Sequence, residues 1–244
     1  MTVYRADLHI HSVLSPCGDL EMSPVNIIEQ AKAKKIDIIG ITDHNSTRQC
    51  QVIKKLGEEQ GILVLCGAEV TTKEEVHCLA FFEKDEELAL FQEFLDAHLP
   101  NIPNKPNLFG YQVSVNRNEE IQFEEERLLI SALDVGIDQV AEKIRMHNGL
   151  FIPAHIDKPS NSLFSQLGFI PPQLKADAFE FTGKQSRKQM EMLGLPKNAT
   201  LITSSDAHLP EDIGKRFTQF HMEHLCFQGI QQALQNQTIE NCIE

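Results

Sequence analysis

Val3-Tyr4-Arg5-Ala6-Asp7-Leu8-His9-Ile10-His11 stands near the start of the chain, and its reading decides how the rest is read. Residues 3–10 make a β-type run that ends among a carboxylate and two imidazoles. In a strand, residues two apart point to one face, so His9 and His11 are expected side by side. Working outward, the same arrangement returns four times. Thr42-Asp43-His44-Asn45 follows an apolar run over 36–41, and Gly67-Ala68-Glu69 follows another over 62–66. Pro153-Ala154-His155-Ile156-Asp157 closes the run 150–154, and Ser204-Ser205-Asp206-Ala207-His208 follows 200–203. Ligand-type side chains placed where strands run out imply one polar crater at the end of a closed sheet, where barrel enzymes keep their chemistry.

Between these runs lie helices. One opens at Ser23-Pro24, with Ser as N-cap and Pro in the first turn, and carries Val25, Ile28 and Ala31 on one face. Others are expected over 46–60, ended by Gly61, and over 85–98, 134–147, 184–193 and 226–236, with a short one near 162–167. Strands are expected over 36–41, whose β-branched run suits burial on both faces. Further strands are expected over 62–66, 76–82, 150–154, 178–181, 200–203 and 216–221. This alternation predicts an α/β chain with a mainly parallel sheet, open or closed into a barrel. Residues 100–126 break the rhythm. Pro100, Pro103 and Pro106 crowd the start, and 112–115 with 121–123 alternate like a small hairpin. The segment reads as an insertion over one mouth, a lid or partner surface, or as a plain structural excursion.

A chain of 244 residues suits one barrel, and 41% hydrophobic residues supply its core. No run approaches the roughly 20 apolar residues that span a bilayer. The first six residues lack the features of a signal peptide, so a cytoplasmic location is expected. The six cysteines form no C-x-x-C pair and read as reduced thiols, mostly buried. Cys66 and Cys78, close to ligand candidates, are expected near the crater. A formal charge of −13 opposes broad binding to a duplex backbone. It still permits a small phosphate ester or short oligonucleotide, because bound cations would invert the field locally.

Burying so many charged groups without cations would cost on the order of several kcal/mol apiece. The ordered set of motifs resembles the PHP family, named for its polymerase-associated and histidinol-phosphatase members, over nearly the whole chain. The resemblance implies a single domain over residues 1–244 with an insertion at about 100–130. It also implies a distorted (β/α)7 TIM-like barrel with the metal centre at its C-terminal mouth. Matched motif by motif, His9, His11, Glu69 and Asp206 would hold one ion, and Glu69, His77 and His155 a second. Asp19, His44 and His208 would hold a third. The loop bearing Asp19 departs from the common Ser-Asp-Gly pattern, reading Ser15-Pro16-Cys17-Gly18-Asp19.

Mixed nitrogen and oxygen ligands suit zinc, manganese or iron. Of two to three such ions, two could share a hydroxide and aim it in line at phosphorus, and a third would hold non-bridging oxygens or stabilise the departing alkoxide. The implied function is therefore a metal-dependent phosphoesterase, with Asp206, Glu69 and His208 at the catalytic centre. Its expected substrate is small and phosphorylated, with a nucleotide or short oligonucleotide included; neither a membrane nor duplex DNA is expected as a partner. Lys158 first, then Lys184 and Arg187, are candidates to meet the phosphate. Asp43 is expected to orient a ligand imidazole, and Asp157 to support a ligand or pair with a loop cation. Ser204 and Ser205 are turn residues rather than nucleophiles, and His98, His147, His221 and His224 fall outside the pattern. A phosphomonoesterase leads. A nucleotide phosphodiesterase or exonuclease, a metal-dependent amidohydrolase, and a metal-stabilised scaffold binding a partner through 100–126 are the alternatives.

Overall fold

The computed structural model describes residues 1–243. Its first strand, β1 (Thr2–Ile10), loses solvent exposure from Ala6 onward as it enters the body of the protein. Helix α1 (Pro24–Ala33) starts where the Ser23 hydroxyl accepts the Asn26 N–H, and it buries Ile27, Ile28 and Ala31. β2 (Ile38–Ile41) is buried along its whole length. α2 (Cys50–Gln60) stops at Gly61, which adopts the left-handed φ of 72°. The helix begins later than the sequence pattern suggests, because Gln92 Oε1 engages the Thr47 N–H and hydroxyl. β3 (Leu63–Thr71), β4 (His77–Phe82) and α3 (Asp85–His98) follow. Then come α4 (Pro106–Phe109) and the hairpin β5 (Val113–Val115) with β6 (Ile121–Glu124). The second half runs α5 (Ile137–Met146), β7 (Leu150–Pro153), α6 (Leu163–Gln166), β8 (Phe179–Glu180) and α7 (Arg187–Met192). It closes with β9 (Leu201–Ile202), β10 (Arg216–Met222), α8 (Phe227–Asn236) and β11 (Ile239–Ile243).

Seven strands form one curled sheet in the order β11-β10-β1-β2-β3-β4-β7. It is mixed rather than mainly parallel. β1, β2 and β3 run parallel, but β3–β4, β4–β7, β1–β10 and β10–β11 pair antiparallel. The short connection 72–76 explains β4, since a parallel return needs a crossover of about a dozen residues. The ladder of paired strands does not run all the way round. A separate parallel pair, β8–β9, stands between its edges. Phe151 donates its N–H to Asp177 Oδ2 on one side, and Asn241 Nδ2 donates to the Leu201 carbonyl on the other.

Side chains alternate between two apolar layers. Ile39, Ile41, Cys66, Ala68, Cys78 and Ala80 pack outward under the helices, against Ile27, Ile53, Phe91 and Ile144. Cys66 and Cys78 therefore belong to this outer layer and not to the crater. Leu8, Ile38, Leu65, Leu79, Phe81, Ile152 and Ile202 fill the concave side, where Phe227, Ile230 and Leu234 of α8 join them. All six cysteines are free. Among the described residues no helix is long and apolar enough to cross a membrane. The β5–β6 hairpin seats on the start of α2. Gln49 Nε2 donates to the Val115 carbonyl while Gln49 Oε1 accepts the Val115 N–H, and Arg48 stacks over Phe123.

Candidate metal centre

A bulge aims the first two imidazoles. Asp7 pairs with Ile39 and Ile10 with Ile41, so β1 advances three residues while β2 advances two. The extra residue breaks the alternation between faces. Leu8 faces the concave core, yet His9 does too, while Ile10 returns to the outer layer. Opposite the bulge is Gly40, where a Cβ would lie 2.5 Å from the Leu8 carbonyl oxygen. Only a residue without a side chain allows this approach.

The remaining ligand segments dock on one another through backbone hydrogen bonds. Asn45 donates to the Glu69 carbonyl and Glu69 to that of Asp43, which sets His44 beside Glu69. His11 donates to the Ala207 carbonyl and Ala207 to that of His9, bringing Asp206 and His208 alongside β1. Ala154 donates to His77, and Ile156 to Glu180. Because β4 runs antiparallel to β3, His77 arrives at the mouth from the first residue of its strand. His155 (φ 30°) and Asp206 (φ 58°) hold left-handed backbone that non-glycine residues rarely adopt.

Glu69 is the hub. Its Oε1 lies 2.9 Å from His77 Nδ1, 3.1 Å from His155 Nε2 and 3.2 Å from His9 Nε2. Its Oε2 lies 3.1 Å from His44 Nδ1 and 3.4 Å from His11 Nε2. Asp206 Oδ1 stands 3.4 Å from His9 Nε2 and 3.6 Å from His11 Nε2. Of these side chains Glu69, His44, His77, His155 and Asp206 border a cavity of about 340 Å³, together with Cys17, Ile130, Lys158, Ser160, Asn161 and His208, while His9 and His11 are fully buried behind it.

A second layer fixes the tautomers. Ser15 donates its hydroxyl proton to Asp43 Oδ1, so it must accept from His11 Nδ1, 2.9 Å away. Glu180 accepts from His9 Nδ1 at 3.0 Å. Both rings thus turn their Nε2 lone pairs inward, and those nitrogens are 3.2 Å apart. Two facing lone pairs need a proton or a cation between them. The buried Nδ1 atoms of His44 and His155 also lack a hydrogen-bond partner. Among the described residues Lys158, paired with Asp206 Oδ2, is the one ammonium bordering the cavity.

Electrostatics agree with this demand. Burial opposes ionisation of Glu69, but His77, His9 and His44 outweigh it and hold its pKa well below the ordinary value. Asp206 is lowered likewise, against burial, by His9 and His11. Burial depresses His44 strongly and brings His208 to about 4 with help from His11. Burial would also depress His9, yet Glu180, Glu69 and Asp206 raise its pKa well above 6.5. Burial and Glu69 push the Cys17 thiol up. Anionic carboxylates and neutral rings at His44 and His208 are the states a divalent ion requires, and at His9 the ion would displace the proton.

Three groups of side chains offer ligand atoms within 4.8 Å of one another: His9, His11 and Asp206; His44, Glu69 and His77; and His11, Cys17, His44 and His208. Ligand bonds of about 2.0–2.3 Å place donors around a tetrahedral ion roughly 3.3–3.8 Å apart, close to the 3.2, 3.4 and 3.6 Å separations among His9, His11 and Asp206. Of the residues singled out in the sequence, His9, His11, His44, Glu69, His77, His155, Asp206 and His208 meet here. Asp19 does not join them. It is exposed, and its Oδ1 accepts the Glu21 N–H. Lys184 and Arg187 are exposed as well and do not border the cavity. Arg187 donates instead to the Lys197 and Ala199 carbonyls, which ties down the loop after α7. Asp157 accepts the Thr182, Lys184 and Gln185 N–H groups rather than pairing with a cation. Asp43 orients His11 through Ser15, not its neighbour His44. Sequence reading missed Glu180, a single carboxylate inside the apolar run Ala178-Phe179-Glu180-Phe181; that isolation was the available signal.

The family described as PHP domain matches residues 7–151, and a family described as PHP-associated matches 193–239. An uncharacterized protein of Methanocaldococcus jannaschii, MJ1587, is 41% identical over 78 residues, 29% of this chain and 46% of that protein. The lesion-specific endonuclease Q of Pyrococcus furiosus superposes with a TM-score of 0.74 at 21% identity, over 96% of this chain and 56% of its own. A two-domain protein of Bacteroides vulgatus, containing a predicted PHP-like metal-dependent phosphoesterase, gives a TM-score of 0.61 at 18% identity. That match covers 100% of this chain and 65% of its own. The chain thus spans about half the length of the first of these relatives.

Proposed function

This chain belongs to the PHP domain family, and from that premise we propose that it is a metal-dependent phosphoesterase whose first substrates are small phosphomonoesters. The observation that carries this reading is Glu69, whose two oxygens are approached by five imidazoles, three of which, His44, His77 and His155, line a single cavity with it. His9, His11, Glu69 and Asp206 would hold one ion, with Glu69, His77 and His155 around a second. Such ions supply Lewis acidity toward phosphoryl oxygens and a nucleophile from water near neutral pH.

The chain's own groups then divide the work. Asp206 Oδ1 and Glu69 orient the attacking water. Lys158 Nζ, beside Asp206, meets phosphoryl oxygens, and Ser160 and Asn161 border the place where they would lie. His208, half-buried and neutral above about pH 4, faces the departing group at the rim. A cavity of about 340 Å³ with one bordering ammonium favours a small ester over a nucleic-acid backbone, which calls for several cations. The domain reading is a single PHP domain in which residues 100–130 are an insertion that contributes Ile130 to the wall.

The test is turnover by metal-reconstituted protein. Aryl phosphate, nucleoside monophosphates and histidinol phosphate should be hydrolysed faster than short oligonucleotides, a lesion-bearing duplex, or an amide and a lactone. His9→Ala and Asp206→Ala should abolish that turnover while retaining the far-ultraviolet spectrum of the native fold. Preferred cleavage of the oligonucleotides would move the assignment to a phosphodiesterase, and preferred cleavage of the amide to an amidohydrolase. Wild-type rates in either variant would remove the centre altogether.

A further inference from the structure

Where a carboxylate would complete the outermost ligand group, this chain places a sulfur. Residues 12–19 turn tightly back toward the mouth: Ser15 donates its N–H to the Ser12 carbonyl, Gly18 to Ser15, and Asp19 to His208. At Gly18 a Cβ would stand 2.3 Å from the Ser12 carbonyl oxygen, so the turn is pinned by a close backbone approach. The consequence is a separation of roles within two residues. Asp19 is turned outward to the Glu21 N–H, and Cys17 is turned into the cavity.

Cys17 meets three imidazoles there. Its sulfur and ring nitrogens of His11, His44 and His208 all lie within 4.8 Å of one another. The His11 and His208 rings are stacked at 4.2 Å between centroids. His208 Nδ1 donates to the Asp206 carbonyl at 2.9 Å, which leaves its Nε2 lone pair free. His44 Nδ1 is buried 3.1 Å from Glu69 Oε2 without an aligned hydrogen bond. His11 Nε2 serves the neighbouring ion, so the sulfur with the His44 and His208 nitrogens leaves one position of a tetrahedral ion open to the mouth, and thiolate is a soft ligand that selects zinc or iron over manganese and magnesium.

We propose that Cys17, rather than Asp19, completes a third metal site with His44 and His208, and that this site takes a thiophilic ion, zinc foremost. The proposal rests on the metal-centre reading of the function. Binding replaces the S–H bond with a sulfur–metal bond and releases the thiol proton to solvent. A thiolate also delivers a full negative charge to its ion, which suits that ion to holding structure and phosphate rather than to generating the nucleophile. Cys17 is exposed as a residue, so the site can load and unload through the mouth.

Cobalt(II) titration of the metal-free protein tests this without recourse to activity. The expected result is a near-ultraviolet sulfur-to-cobalt charge-transfer band that is absent from Cys17→Ser and Cys17→Asp. Cys17→Ser should lose one bound ion per chain, whereas Cys17→Asp should keep it and shift its preference from zinc toward manganese. Asp19→Asn should bind like the wild type. If several cobalt ions bind but no band appears, or the band persists in Cys17→Ser, Cys17 is not a ligand and the rest of the centre stands. If Asp19→Asn loses the ion and Cys17→Ser does not, the assignment reverts to Asp19. A metal-free protein that takes up no cobalt overturns both this site and the functional reading beneath it.

Discussion

Glu180 shows how much a single buried carboxylate controls. It touches no substrate space, yet it accepts from His9 Nδ1 and from the His155 backbone N–H at 2.9 Å. One side chain thereby sets the tautomer of one proposed ligand and the position of another, whose backbone lies in a strained left-handed conformation. Glu180→Gln keeps the volume but removes the negative charge and sets an amide NH2 where Oε1 now stands 3.2 Å from His9 Nδ1. We expect it to fold and to bind metal about 10–100-fold more weakly, the usual effect of losing a carboxylate behind a ligand histidine. Competition against a chromophoric chelator measures this. Unchanged affinity would mean that the His9 orientation is secured elsewhere.

Among the elements, the bulge in β1 matters most, because it brings His9 and Leu8 to the same side of the sheet. It depends on Gly40. An alanine there would put its Cβ within 2.5–2.9 Å of three Leu8 backbone atoms, none of which can swing aside. The expected cost is about 3 kcal/mol, the upper end for overpacking, with loss of metal binding as the bulge relaxes. Gly61→Ala is the control. Its Cβ would meet nothing within 4 Å, so only the left-handed backbone opposes it, at about 1–2 kcal/mol. Thermal melts and metal content of the two variants separate these effects; a Gly40→Ala protein with full metal content would show that the bulge is dispensable. The same elements mark what the sequence could reveal. His44, Glu69, His155 and Asp206 were legible because each is a polar residue following an apolar run. The bulge was not, since Ala6-Asp7-Leu8-His9-Ile10-His11 alternates without a visible break and its extra residue exists only relative to β2. β8 and β9, two residues each, and β11 at the end of the chain carry too little pattern to give their pairing, so an expected mainly parallel sheet emerged as a mixed one.

For the molecule as a whole, the centre is a concentration of charge inside a protein that already carries −13. Without a divalent ion, cohesion at the mouth depends on His9 being protonated among Glu69, Asp206 and Glu180. A histidine whose folded pKa is raised above 6.5 contributes stability that is complete below 6.5 and is lost as pH rises through the folded value. Glu69 and Asp206, both lowered, contribute in the opposite sense: their share is present above about pH 4.5 and is lost as pH falls through their folded values. The metal-free protein should therefore be most stable in mildly acidic solution and weaken toward alkaline pH. The loaded protein should behave differently, because its ions need neutral imidazoles and bind more tightly as pH rises. At a free metal concentration 100 times Kd the gain is about 2.7 kcal/mol. For a chain of this length that corresponds to roughly 5–11 °C in Tm, at about 2–4 °C per kcal/mol. Melting curves of chelated and reconstituted protein between pH 5 and pH 9 should consequently diverge with increasing pH. Parallel curves across that range would mean that the buried cluster is held together by its own protons and needs no cation.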